Sequence, residues 1–196
     1  VISTLVATFA FVAAYPQLPP VTALTNYQPK LPLRIYSREG VLIGEFGQEH
    51  REFIGISSVP ELLKNAIIAA EDEHFLEHHG IDFFGIGRAA IANLSARGAR
   101  QGASTITMQV ARNFFLSSEK TFTRKFNEAL LAIKIERNLT KNQILELYIN
   151  QIYLGQRAFG FAAASKIYFG KPLSQASLAE ISMLAGLPKA PSKYNP

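Results

Sequence analysis

The pattern of apolar and polar positions changes character along the chain. Residues 1–15, VISTLVATFAFVAAY, are mostly apolar and uncharged, and Pro16, Pro19 and Pro20 then stop any helix. At 1.5 Å per residue this run falls short of the roughly 20 residues a bilayer core requires. Because the chain opens on Val, the run reads as the trimmed end of a single-pass membrane anchor, with a cleaved signal peptide or a buried core helix as the other readings. Residues 16–32 are rich in proline and read as an extended linker. Residues 33–56 alternate as strands do: LRIYS, a turn at Arg38-Glu39-Gly40, then VLIGEF, which predicts a small β-hairpin.

From residue 58 onward the apolar period lengthens to that of a helix. Ser58 and Glu61 predict a capping box, with Pro60 in the first turn and Leu62, Leu63, Ala66, Ile67 and Ala70 as the apolar stripe. Further helices are expected at about Asp82–Ala96, at Thr105–Phe115, and after Thr121 with Phe126, Leu130, Ile133 and Ile135 facing inward. Thr140 with Gln143 predicts the cap of another helix, which carries Ile144, Leu145, Tyr148 and Ile149. The last two are expected over roughly 158–168 and from Ser177, boxed with Glu180, to Gly186. The expectation is a mainly α domain over residues 33–196 with a small β entry segment.

Composition adds little until charge is located. At 196 residues and 48% hydrophobic, the chain is long enough for a core and too apolar for a disordered segment. It has no cysteine, which excludes disulfides, thiolate metal sites and a cysteine nucleophile. A net charge of +5 and a pI near 9.5 suit an anionic partner. The excess is local: Arg97, Arg100, Arg112, Lys120, Arg124 and Lys125 stand against Glu119 alone. No helix-turn-helix, zinc-finger or RNA-recognition signature accompanies them, and the aromatics nearby (Phe114, Phe115, Phe122, Phe126) are spaced as core residues, so nucleic acid is not the expected partner.

The densest polar cluster is Glu71 to Gly80, EDEHFLEHHG, with three of the four histidines and four of the 15 acids. Crowded carboxylates raise one another's pKa, which suits a general acid or base. Within the same run, His74-Phe75-Leu76-Glu77-His78 fits H-x-x-E-H, a zinc-peptidase pattern that needs a helix and a third ligand. Gly102-Ala103-Ser104-Thr105 leads into a helix whose N-terminus could cradle an oxyanion or phosphate, with Ser104 as an ordinary N-cap in the plainer reading. Glu128 lies i+4 from Arg124 and i+3 from Lys125, either a surface ion pair or a carboxylate set in a cationic wall. Lys141–Asn150 and residues 155–171, where small residues permit close packing, read as structural. A non-catalytic, membrane-tethered binding module stays open beside the enzyme readings.

Taken in order, these segments resemble the five motifs of the peptidoglycan glycosyltransferases, family 51. Glu71, Asp72, Phe75, His78 and Gly80 meet E-D-x-x-F-x-x-H-x-G; Gly102, Ser104, Thr105, Thr107 and Gln109 meet G-x-S-T-I-T-x-Q; Arg124, Lys125 and Glu128 meet R-K-x-x-E. Lys141, Ile144, Leu145, Glu146, Tyr148 and Asn150 meet K-x-x-I-L-E-x-Y-x-N, and residues 155–171 meet the fifth in outline, with its alanines displaced by one position. Met108 stands where the family has a first Gln, and Arg112 where many members have Lys. The hairpin and the closing AGLPKAPSKYNP are similar to the class A penicillin-binding proteins of Gram-negative bacteria.

The resemblance implies a lysozyme-like fold with a small jaw partly sunk in the plasma membrane, working on its periplasmic side. It implies that lipid II and a growing glycan chain are the substrates. Glu71 would act as general base. Arg112, Lys120, Arg124 and Lys125 would stabilise the departing undecaprenyl diphosphate, and Glu128 would orient those cations or the diphosphate. Asp72, Phe75, His78, Ser104, Thr105 and Gln109 would shape the substrate groove. No obligatory cofactor is implied; a Mg or Mn ion beside the diphosphate is compatible with this chemistry.

Overall fold

The computed structural model describes residues 15–25, 27, 32–95, 102–116 and 121–196. The apolar run expected to be an anchor lies outside them but for Tyr15, as do Arg97, Arg100 and Lys120. Among the described residues no helix is long and apolar enough to cross a membrane.

The chain is mainly helical. In order, its elements are α1 (Thr22–Thr25), β1 (Leu33–Tyr36), β2 (Leu42–Phe46), β3 (His50–Arg51), α2 (Glu61–Glu71), α3 (Phe83–Ser95), α4 (Ile106–Phe115), α5 (Phe122–Glu136), α6 (Lys141–Gln151), β4 (Ala158–Phe159), α7 (Phe161–Phe169), α8 (Leu178–Gly186) and α9 (Pro191–Tyr194), with single 3-10 turns between some of them. They form two compact units, residues 1–26 with 74–144 and residues 27–73 with 145–196, the division falling inside α6.

In the first unit, α4 packs along α5. The Thr105 side chain caps α4 by accepting from Met108 N–H at 3.1 Å, and Thr121 caps α5 through Arg124 N–H. Six consecutive residues of α4, Ile106 to Ala111, are buried, so this helix is enclosed rather than striped. On α5 the buried side is Glu128, Leu130, Leu131, Ala132 and Ile135. Phe126 is exposed and Ile133 half-buried, which corrects the stripe expected from spacing. Thr140 and Gln143 box the start of α6 reciprocally, as the pattern predicted. Residues 15–25 are not extended: they fold into two short helical turns, bury Leu18, Val21 and Leu24, and receive Lys134 Nζ on the carbonyls of Leu18 and Pro19, both at 3.1 Å.

In the second unit, β1 and β2 pair antiparallel, with Leu33 opposite Phe46. The short β3 and β4 pair in parallel, His50 beside Ala158 and Arg51 beside Phe159. Helix α2 lies along α8, burying Leu63 and Ile67 on one and Ile181, Leu184 and Ala185 on the other. The Ser58–Glu61 capping box does not form: Ser58 ends a 3-10 turn, Pro60 occupies the N-cap, and Glu61 pairs with Lys64 instead. Leu62 and Ala70 face solvent. The Ser177–Glu180 box does form at the start of α8. The helix expected near residue 158 begins later, at Phe161, because Ala158 and Phe159 are drawn into the β3–β4 pair. Gly160 makes that change of direction possible: its φ is +88°, and a Cβ there would come within 2.9 Å of the Asn150 carbonyl oxygen.

Candidate functional site

The residues singled out by sequence fall into both units, and each unit builds its share separately. In the first, Glu128 sits on the buried side of α5 with a side chain 1% exposed. Both its oxygens are taken. Arg124 Nη1 donates to Oε1, and Lys125 Nζ donates to Oε2 at 2.9 Å. Lys125 Nζ also donates to Ser104 Oγ at 2.6 Å, bridging α5 to the turn before α4. Two cations share one buried carboxylate, so the cluster keeps a net positive charge. Arg124 Nε is buried with no hydrogen-bond partner among the described residues. Such a group favours an anion close by. Arg112 is half-buried in the last turn of α4.

The Ser104 N-cap expected from the sequence is thereby corrected. Thr105 takes the cap, and its hydroxyl also donates to the Gly80 carbonyl at 2.7 Å. Ser104 is left to receive Lys125. Gln109 is buried on α4.

Residues 74–80 form a run of turns, not a helix. Phe75 is fully buried, its ring edge-on to His78 with centroids 6.2 Å apart. It therefore props the segment from within, where a groove residue had been expected. His78 Nδ1 accepts from Gly80 N–H at 3.1 Å. Gly80 has φ +97°, and a Cβ there would lie 2.8 Å from the Ala132 carbonyl carbon on α5. His74 Nδ1 lies 3.3 Å from Asp82 Oδ2. Burial works to raise the Asp82 carboxyl, but the Gly85 N–H and His74 outweigh it and hold it below the ordinary value.

These contacts do not favour the zinc reading. His74 and His78 do not share a helix face, each has an Nδ1 contact of its own, and no group of three metal-binding side chains occurs among the described residues. A Mg or Mn ion finds no ligand in Glu128 either, since both oxygens already meet cations.

In the second unit, Glu71 is the last residue of α2, half-buried, and Asp72 is the buried residue that ends the helix. The α6 residues that looked unremarkable pin a loop. Asn150 Oδ1 accepts from Ile54 N–H and its Nδ2 donates to the Ile54 carbonyl, both at 2.9 Å. Glu146 Oε2 accepts from Ile56 N–H at 2.6 Å.

Sequence reasoning passed over Lys141 as a structural residue. Its Nζ donates to the His78 carbonyl at 2.6 Å and to Glu136 Oε1 at 2.7 Å, and lies 4.5 Å from the centre of the Phe75 ring. The available signal was a lysine placed at the start of a helix, where the macrodipole disfavours a cation unless carboxylates or carbonyls hold it.

The transglycosylase family model matches residues 39–196. Penicillin-binding protein 1A of Neisseria cinerea is 61% identical over 187 residues, 95% of this chain and 23% of that protein. Penicillin-binding protein 1A of Pseudomonas aeruginosa is 51% identical over 187 residues, with the same 95% and 23% shares. The crystal structure of penicillin-binding protein 1A from Haemophilus influenzae aligns with 28% identity and a TM-score of 0.42, over 87% of this chain and 16% of that one. The chain thus spans 23% of the length of the curated relatives it matches.

Proposed function

This chain belongs to the transglycosylase family, and on that premise we propose that it polymerises lipid II into β-1,4-linked glycan strands, releasing undecaprenyl diphosphate. Glu71 takes the proton from the acceptor's 4-hydroxyl as general base. The freed oxygen attacks the donor's anomeric carbon through an oxocarbenium-like state, and the anomeric configuration inverts from α to β. The bond to the diphosphate breaks, and its electron pair leaves with the diphosphate oxygen.

The observation that carries this reading is the buried Glu128 with Arg124 and Lys125 on its two oxygens. Both oxygens of this carboxylate are engaged by cations. It holds two cations in fixed orientation with charge to spare, which is what stabilising a departing diphosphate requires. Arg112 and Lys120 join that role, and Ser104 steadies Lys125. Asp72, His78, Thr105 and Gln109 shape the groove, while Phe75 acts through the loop it supports.

A lysozyme-like arrangement, a location at the plasma membrane with the catalytic domain in the periplasm, and a parent protein of the class A penicillin-binding 1A type belong to the same proposal. The 51–61% identities support the last. The bilayer contact is supported by α3, where Phe83, Phe84 and Ile91 are 75%, 88% and 68% exposed. The test is incubation with labelled lipid II in detergent. Wild-type chain should form glycan polymer, and Glu71→Gln should lower the rate by about 100-fold or more. Absence of polymer with the wild type, or equal rates for the two, refutes the assignment.

A further inference from the structure

The contacts of Lys141 belong to a closed circuit. Lys141 Nζ donates to the His78 carbonyl at 2.6 Å. The His78 imidazole accepts from Gly80 N–H at 3.1 Å. The Gly80 carbonyl accepts from Thr105 Oγ1 at 2.7 Å, and Thr105 caps α4. Thr107, two residues on, donates to Glu136 Oε1 at 2.6 Å, and Glu136 receives Lys141 Nζ at 2.7 Å. The circuit joins the 74–80 loop, the first turn of α4, the last residue of α5 and the first of α6, all within one compact unit. An ammonium has three donors. Here two are taken by oxygens, and the Phe75 ring face lies 4.5 Å away. Thr107 is fully buried and the Glu136 side chain is 5% exposed, so the pair is shielded from solvent competition.

We propose that Lys141 is a positioning residue for the 74–80 loop: it fixes the backbone at His78, and through it the imidazole, against the N-terminus of α4. The segment it holds begins two residues after Asp72 in the chain, and the proposal rests on the glycosyl-transfer reading given above. The imidazole's acceptor contact at Nδ1 leaves the neutral ring's proton on Nε2. Losing the lysine would remove the ammonium from the circuit and leave the buried Glu136 carboxylate without the cation it meets among the described residues. A displacement of the loop by about 1 Å costs on the order of 100-fold in rate where reacting groups must be aligned.

The chain has no cysteine, so Lys141→Cys introduces a unique thiol that aminoethylation converts to a lysine isostere. Three samples are compared on labelled lipid II: wild type, Lys141→Cys, and Lys141→Cys after aminoethylation. The variant should lose at least tenfold in kcat with KM changed less than threefold, and aminoethylation should restore kcat to within about threefold. In parallel, 15N spectra of the His78 imidazole should show the Nε2–H tautomer in the wild type, a mixed population in the variant and recovery after alkylation. Unchanged kcat and an unchanged imidazole spectrum in the variant overturn the proposal. So does a fully alkylated sample that stays impaired. If the wild type makes no polymer, the glycosyl-transfer reading fails, and the imidazole spectra alone decide the role of Lys141. If the variant does not fold, Glu136→Gln in the same spectral assay decides the proposal, with loss of the Nε2–H signature expected and its retention overturning it.

Discussion

Replacing Gly80 with alanine tests the claim that the 74–80 loop is held by close approach to α5. Two costs add. The backbone at φ +97° lies in a region that residues with a Cβ enter at a cost of about 1–2 kcal/mol. The added Cβ would lie 2.8 Å from the Ala132 carbonyl carbon and 2.9 Å from its oxygen, both helix backbone and unable to rotate away. Overpacking of that kind costs about 1–3 kcal/mol. The expected total is about 3 kcal/mol, or roughly 6–12 °C in melting temperature for a chain of this size. Gly170→Ala serves as the control. Gly170 has φ +67° at the end of α7, and a Cβ there meets nothing within 4 Å. It should cost about 1 kcal/mol, roughly 2–4 °C. Thermal unfolding followed by far-UV circular dichroism compares the two. If Gly80→Ala falls within about 0.5 kcal/mol of Gly170→Ala, the steric half of the argument is wrong, and the loop is free to move away from α5.

Two further outcomes follow from charge. Glu128→Gln leaves Arg124 and Lys125 without their carboxylate, and should destabilise the chain by about 2–4 kcal/mol in urea unfolding, more than Lys125→Met, whose lysine is partly solvent-screened. The Glu180 carboxyl is held down to about 2 by Lys171, with the N–H and hydroxyl of Ser177 adding to the effect. Its folded value lies below the ordinary one, so its stabilising contribution is complete above about pH 4.5 and is lost as the pH falls toward 2. Melting temperatures of Glu180→Gln and wild type should therefore converge across that window, and a gap that stays constant from pH 6 to 2 refutes the linkage.

What the sequence determined by itself is what depends on residues three or four apart. Thr121, Thr140 with Gln143, and Ser177 with Glu180 start their helices because each cap joins a side chain to an N–H or carboxyl one turn away. The Arg124–Lys125–Glu128 cluster is legible for the same reason, since i+3 and i+4 neighbours share a helix face. The order of the five motifs was also on view, and it led to the family.

The tertiary structure decided what depends on partners distant in sequence. Nothing local chooses between Ser104 and Thr105 as the cap of α4. The choice falls to Thr105 because the Gly80 carbonyl, 25 residues away, accepts its hydroxyl, while Lys125 claims Ser104. Ser58 and Glu61 had the pattern of a cap and did not form one, because Pro60 occupies the N-cap and Glu61 reaches Lys64. Phe75 read as a groove residue and Lys141 as an ordinary helix residue, yet the two meet in the core, with Lys141 bonded to a carbonyl 63 positions away. A pattern of apolar and polar positions gives an element its period; which of its residues are buried, and which group from elsewhere in the chain arrives to meet them, depends on how the elements pack.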